Sequence, residues 1–135
     1  MAFVLDNSVA VAWFLPSQAN SYTHAMAKRL ETEKAWVPAL WQLEIANVLR
    51  TACLRHKLAH TTAREIFDAL SKLPIQVDQG DGPSGRQLFE LAMRYQISSY
   101  DAAYLELAMR LGLDLATQDQ ALKDAALAAQ VPLAI

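Results

Sequence analysis

The sequence has a single cysteine, Cys53, so it cannot form an internal disulfide. This is typical of proteins from a reducing compartment, and the apolar helical pattern around Cys53 favours a core position over a nucleophile. No apolar run approaches the ~18 residues that cross a bilayer. No Lys or Arg precedes Lys28, so the charged start of a secretory signal is missing. We therefore expect a cytoplasmic protein that does not bind membranes.

Positive charge is also scarce, since the 135 residues carry a formal net charge of −2. Bulk charge therefore does not favour non-specific binding to nucleic acid, and any contact with RNA or DNA must use a local basic patch or a metal ion. Hydrophobic residues make up 53% of the chain, which is enough for a substantial core. The length predicts one domain spanning residues 1–135.

Short apolar segments alternate with amphipathic ones along the chain. We expect strands at residues 2–5, 35–38, 74–77, 113–117 and 131–135. We expect helices that end near residues 15, 34, 56, 73, 95, 111 and 128, and a loop at 78–85. The expected N-caps are Asn7 or Ser8, Asn20 or Ser21, Thr61 or Thr62, and Thr117. This alternation predicts an α/β fold with a mostly parallel sheet that is covered by helices on both faces.

Four acidic residues fall near junctions between these strands and helices. Asp6 follows the first strand, and Asp119 lies two residues beyond the "LDLAT" strand. Asp101 and Glu44 fall in the first turns of two helices. Because ligands of open parallel sheets bind at the carboxyl ends of the strands, we expect these four side chains to meet in one crevice.

Each acid also has an ordinary structural interpretation as a residue that stabilises a helix start. Such interpretations exist for Asp6, for Glu44 as a solvated first-turn acid, for Asp101 in a capping box with Ser98, and for Asp119 between Thr117 and Gln120. Taken singly, these interpretations are at least as good as a functional one. Taken together, they do not explain why all four acids fall at the same edge of the sheet.

A shared cation would explain the convergence of the four acids. Two unit charges about 5 Å apart repel by about 3 kcal/mol at an effective dielectric constant of about 20. A divalent cation turns this repulsion into attraction, and oxygen ligands favour Mg²⁺ or Mn²⁺ over zinc. The histidines, His24, His56 and His60, show no ligand spacing with a cysteine that would indicate a zinc site.

Four segments resemble the successive motifs of PIN-domain nucleases, and more narrowly those of the VapC toxins of prokaryotic toxin–antitoxin pairs. They are "VLDNSVAVAWF", "ALWQLEIANVL", "SSYDAAYLELA" and "LATQDQAL". The resemblance implies a three-layer α/β/α sandwich that acts as an Mg²⁺- or Mn²⁺-dependent endoribonuclease. It also implies a homodimer that is inhibited by a cognate antitoxin.

Carried over by position, the resemblance makes Asp6, Glu44, Asp101 and Asp119 the catalytic and metal-binding quartet. It makes Ser8 and Thr117 polar helpers that hydrogen-bond carboxylates or water, and it matches Asn47 to a small polar residue one turn after the glutamate. Asn7 departs from the pattern, since many relatives have Thr or Ala there.

Two other classes of protein with an aspartate after the first strand need further residues that this sequence lacks. An aspartyl phosphatase needs a second acid two residues after the first, where Ser8 stands. A phosphoacceptor receiver needs paired acids after the first strand and a lysine near the last strand, and both are missing. A PIN-like domain that only binds RNA or a partner protein is the remaining alternative, and it predicts gaps in the quartet.

Other residues are candidates for contacts with RNA or with a partner. Candidates for binding substrate phosphates are Arg50, Arg55, Lys57, Arg86 and Arg94. Bases could stack on Trp13, Trp36 or Trp41, although their apolar neighbours favour packing in the core or in a dimer. The apolar segments 10–16 and 39–54 are candidate contacts for a second subunit or an antitoxin.

Overall fold

A computed structural model describes residues 1–80 and 82–135 of the chain. Position 81, within the predicted loop at 78–85, lies outside the described residues. Four strands form the sheet: β1 (Ala2–Leu5), β2 (Lys34–Val37), β3 (Ile75–Val77) and β4 (Asp114–Ala116). They are hydrogen-bonded in the order β3-β2-β1-β4, and every pair is parallel. The predicted α/β class with a parallel sheet is therefore confirmed.

Seven α-helices surround this sheet within the described residues. They are α1 (Asn7–Ala10), α2 (Ser21–Arg29), α3 (Leu40–Leu54), α4 (His60–Ser71), α5 (Gly85–Tyr95), α6 (Ser99–Leu111) and α7 (Gln120–Ala128). In the part of the chain that the structure covers, no helix combines the length and the apolar character that crossing a bilayer would require.

Two predicted helices are shorter than the sequence pattern suggested. The first ends at Ala10 and is followed by separate 3₁₀ turns, Val11–Trp13 and Pro16–Gln18. Pro16 has no amide hydrogen to donate, so an α-helix could not continue through this position. The second ends at Arg29 rather than near residue 34. It cannot extend further because Lys34 already pairs with Ala2 in the sheet.

Two other predictions about elements were wrong. Helix α4 begins at His60 without a side-chain cap, so neither Thr61 nor Thr62 caps it. The expected fifth strand is reduced to one bridge between Leu133 and Leu115. Pairing stops there because Val131 donates its amide to the end of α7, and Pro132 has no amide to donate.

The order of the strands determines where a ligand can bind. The chain moves outward from β1 to β2 and β3, and then crosses back to place β4 on the other side of β1. Because such crossovers are right-handed, the reversal puts α2 to α4 on one face and α5 and α6 on the opposite face. The crevice of a doubly wound sheet opens at this reversal, which here lies between the carboxyl ends of β1 and β4.

The core fills both sides of this sheet and holds β1 and β4 in place. Phe3, Val4 and Leu5 of β1 and Leu115 of β4 are completely buried. Helix α6 packs against β1 and β4 and contributes Tyr104 and Leu105, which are also completely buried. The packing of β1 and β4 therefore fixes the points from which the residues after these strands leave the sheet.

We predict that Leu115→Ala lowers the free energy of unfolding by about 2–5 kcal/mol, because it leaves a cavity under β4. Urea denaturation followed by circular dichroism measures this change. Leu127→Ala is the matched control, since Leu127 is 61% exposed and its truncation should have little effect. Equal losses in the two variants would contradict the core position of β4.

Candidate active site

Asp6 begins helix α1 directly after β1, and it is 5% exposed. It is the N-cap of α1, so the prediction of Asn7 or Ser8 as the cap was wrong. The Asp6 amide donates to the carbonyl of Ala116 in β4, which fixes the residue at the edge of the sheet (2.9 Å). Burial raises the pKa of Asp6, while hydrogen bonds from Ser8 and Thr117 lower it.

The hydroxyls of Ser8 and Thr117 hold the carboxylate of Asp6 by one oxygen. Both donate to Asp6 Oδ2 over 2.7 Å, one from within α1 and the other from the end of β4. Gln118 closes the arrangement, since its backbone amide donates to Ser8 Oγ (2.9 Å) and its side-chain amide donates to the carbonyl of Ser8 (3.0 Å). The ends of β1 and β4 are therefore joined through polar side chains.

Asp119 is the N-cap of α7, so Thr117 does not cap this helix as predicted. The amide of Leu122 donates to Asp119 Oδ2 (3.0 Å), and the Asp119 amide donates to Thr117 Oγ1 (3.0 Å). Because the Thr117 hydroxyl bridges Asp6 and the Asp119 amide, it connects two of the four acids.

Glu44 lies in the second turn of α3, and Tyr104 of α6 is its hydrogen-bond donor. The Tyr104 hydroxyl donates to Glu44 Oε1. Partial burial raises the pKa of Glu44, this hydrogen bond lowers it, and the negative charge of Asp6 raises it. Glu44 and Asp6 are therefore close enough to interact electrostatically across two different helices.

Asp101 lies in the first turn of α6, and the charges of the other three acids all act on it. Burial is the largest cause that raises its pKa, followed by the negative charges of Asp6, Asp119 and Glu44. Together these effects raise the pKa of Asp101 to about 7. Burial and the negative charges of the other three acids together therefore hold the pKa of Asp101 well above the usual value for an aspartate.

Three of the carboxylates share a pattern of hydrogen bonding in which the donors act on one oxygen of each group. The hydroxyl and amide donors described above act on Asp6 Oδ2, Glu44 Oε1 and Asp119 Oδ2, and the second oxygen of each group receives none of them. In residues 1–80 and 82–135, no three His, Cys, Asp or Glu side chains are gathered into a ready-made metal cage. The possible metal ligands in the crevice are all carboxylate oxygens, and their negative charges repel one another. Ligands of this kind fit Mg²⁺ or Mn²⁺.

Among the predicted supporting residues, Ser8 and Thr117 lie in the crevice and Asn47 does not. Asn47 is exposed and lines a separate groove of about 450 Å³ together with Arg55 and Lys57. Sequence analysis missed Tyr104 and Gln118. Tyr104 stands three residues after Asp101, and this helical spacing is a signal that could have indicated it.

The basic residues and the tryptophans that the sequence suggested for contacts with RNA differ in their exposure. Arg50, Arg86 and Arg94 are exposed, and Arg94 lies over the ring of Tyr95. Trp41 is 7% exposed, which favours packing over base stacking. The other two tryptophans, Trp13 and Trp36, are partly buried and pack against the core.

The model of the PIN domain family matches residues 3–127 of this chain. PIN domains are generally nucleases, and they commonly use divalent metal ions. Among curated proteins, none matches this sequence.

Three solved structures share the fold. PAE2754 from Pyrobaculum aerophilum superposes with a TM-score of 0.68 at 23% identity, covering 93% of this chain and 87% of its own. VapBC2 from Rickettsia felis, bound to a DNA fragment from its promoter, superposes with a TM-score of 0.71 at 12% identity, covering 99% of this chain and 98% of its own. FitAcB from Neisseria gonorrhoeae superposes with a TM-score of 0.62 at 20% identity, covering 98% of this chain and 96% of its own. At these identities the similarity shows the fold.

We predict that Asp101→Asn stabilises the protein in the absence of divalent ions, and increasingly so as the pH rises. The folded state raises the pKa of Asp101 from 3.8 to about 7, so it binds more protons than the unfolded state between these values. The free energy of unfolding of the wild type must then fall as the pH rises through this interval. The asparagine carries no charge and avoids this loss.

Thermal unfolding in EDTA at pH 5 and pH 7.5 measures the effect. The matched control is Asp68→Asn, because Asp68 is exposed on α4. A melting-temperature difference between Asp101→Asn and wild type that stays constant with pH would show that the four carboxylates do not interact as described.

Proposed function

The chain belongs to the PIN domain family, and from this membership and the crevice of carboxylates we propose that it is a divalent-metal-dependent endoribonuclease. We further propose that it acts in the cytoplasm as the VapC-type toxin of a toxin–antitoxin pair. The observation that carries the proposal is the position of Asp101, where burial and the charges of three other carboxylates raise its pKa to about 7. Structural ion pairs join acids to bases, whereas here the charges that act on Asp101 are all negative.

Asp6, Asp101, Asp119 and Glu44 are the residues that would hold Mg²⁺ or Mn²⁺. When bound, such an ion lowers the pKa of water and neutralises negative charge on a phosphodiester. The products expected from hydrolysis by water are a 5′-phosphate and a 3′-hydroxyl. The RNA 2′-hydroxyl takes no part, so selection of RNA must come from shape and contacts.

The polar neighbours of the quartet have positioning roles in this proposal. Ser8 and Thr117 donate to Asp6 Oδ2 and so orient the carboxylate, with Oδ1 left for a ligand. Asp101 is only partly buried, so it can meet a substrate at the mouth of the crevice. Its raised pKa also makes it the group that most readily releases a proton near neutral pH when a cation binds.

The groove beside α3 supports a path for the substrate. Asn47, Arg55 and Lys57 line it, and Asn47 lies one helical turn after Glu44. Two cations and an amide match the ligands that nucleic-acid backbones accept. We propose that the RNA strand leaves the crevice along this groove, since the net charge of −2 provides no general attraction.

The proposed partners are a cognate antitoxin and a second copy of the chain. The fold shared with VapBC2 and FitAcB supports the first. Large apolar side chains are exposed on three helices and support protein contacts; they are Leu43, Leu54, Phe89, Met93 and Tyr100. The apolar segment 10–16, in contrast, buries Ala10, Val11 and Ala12 in this chain's own core.

We predict that Asp6→Asn lowers RNA cleavage by at least about a hundredfold, the upper end of the losses caused by disturbing metal-ligand partners. The asparagine retains an oxygen to accept from Ser8 and Thr117 and remains a good N-cap, so the protein should stay folded. Cleavage of a radiolabelled RNA with Mn²⁺ or Mg²⁺ measures the activity, and sequencing of the cut ends tests the expected termini.

Asp68→Asn serves as the matched control and should cleave at the wild-type rate. Wild type in EDTA should be inactive and should recover on addition of Mn²⁺. Full cleavage by wild type in EDTA would overturn the metal-dependent mechanism. If neither wild type nor variant cleaves RNA and Mn²⁺ fails to raise the melting temperature, the chain is a non-catalytic binding domain of the same fold.

A further inference from the structure

Tyr104 is a completely buried tyrosine whose hydroxyl contacts one of the four acids. The hydroxyl donates to Glu44 Oε1. The ring belongs to α6 and Glu44 belongs to α3. One phenol group therefore connects two helices that begin at the same edge of the sheet.

Glu44 depends on this contact for its position. No other described residue donates a hydrogen bond to the Glu44 side chain. Asp6 and Asp101 both interact unfavourably with its charge, which pushes the carboxylate away from the crevice. Glutamate has three rotatable side-chain bonds, and solvent is available beside α3, so without a donor the side chain would turn outward.

The four acids thus differ in how they are held. Asp6 receives hydroxyl donors from Ser8 and Thr117, and Asp119 receives a backbone amide at the start of its own helix. Both acids are fixed by donors close to a strand end. Glu44 is fixed by a side chain that is 60 residues away in sequence, on a helix from the opposite face of the sheet.

We propose that Tyr104 is a positioning residue that keeps Glu44 in the crevice with its second oxygen free for a divalent cation. This inference rests on the proposed function. Tyr104 is also three residues after Asp101 on the same helix, so the helix that carries one ligand supports another. Tyr104 itself is not a ligand, since its hydroxyl is already engaged with Glu44.

The test is the affinity for Mn²⁺ alone, measured by calorimetry on wild type and Tyr104→Phe. The phenylalanine keeps the ring and removes only the hydroxyl, so we expect the protein to stay folded. We expect the affinity to fall about tenfold, the low end of the loss on removing a partner of a metal ligand. RNA cleavage should fall in parallel at limiting Mn²⁺ and recover partly at saturating Mn²⁺.

A double-mutant cycle with Glu44→Ala separates positioning from a structural effect. If Tyr104 acts through Glu44, then Tyr104→Phe should weaken Mn²⁺ binding in wild type and have no further effect in Glu44→Ala. Tyr22→Phe is the matched control, because the Tyr22 hydroxyl donates to a backbone carbonyl, that of Ala134 (2.8 Å). Its loss should lower the melting temperature without a tenfold change in Mn²⁺ affinity.

The experiment separates failure of the positioning role of Tyr104 from failure of the proposed nuclease function. If wild type does not bind Mn²⁺, the nuclease proposal fails. If wild type binds but Tyr104→Phe binds equally well, the positioning role is wrong while the nuclease proposal stands. Equal losses in Tyr22→Phe and Tyr104→Phe, or a further loss when Tyr104→Phe is added to Glu44→Ala, would also overturn the role.

Discussion

A buried carboxylate must be hydrogen-bonded, and the way in which Asp6 meets this requirement organises the carboxyl edge of the sheet. One donor, Ser8, comes from the helix that Asp6 caps, and the other, Thr117, comes from the end of β4. The second bond spans 111 positions of sequence and crosses the point where the order of the strands reverses. The side chain of Gln118 adds a further connection. The crevice is therefore assembled by the same contacts that join β1 to β4.

Four acids at one edge of the sheet repel one another and so lower the stability of the folded state. The fold offsets part of this cost. Burial and this repulsion together raise the pKa of Asp101 to about 7. The other three acids keep donors on one oxygen each, which offsets part of the cost of burial. Natural proteins commonly carry such local strain where function needs it, and a well-packed core such as that around β1 supports it.

The sequence predicted the parallel sheet and the edge at which the acids lie, because both follow from local patterns: alternating apolar segments and acids after strands. It did not predict the caps of α1 and α7, although Asn20 caps α2 as predicted. Thr117 was expected to cap the last helix, but its hydroxyl bonds Asp6 across the sheet, and Asp119 caps the helix instead. Asp6 likewise caps α1 in place of Asn7 or Ser8. A short sequence pattern contains no information about a partner that is more than 100 residues away.

These caps also show that the two interpretations of the acids are compatible. Asp6 and Asp119 stabilise helix starts, as an ordinary structural role requires, and each uses Oδ2 to accept the capping hydrogen bonds. A carboxylate has two oxygens, so capping with one leaves the other for a ligand. Capping also removes rotational freedom from the side chain before any ligand arrives, which reduces the entropy lost on binding. The helix starts therefore preorganise the crevice, and Glu44, which caps nothing, is the acid that needs a separate support from Tyr104.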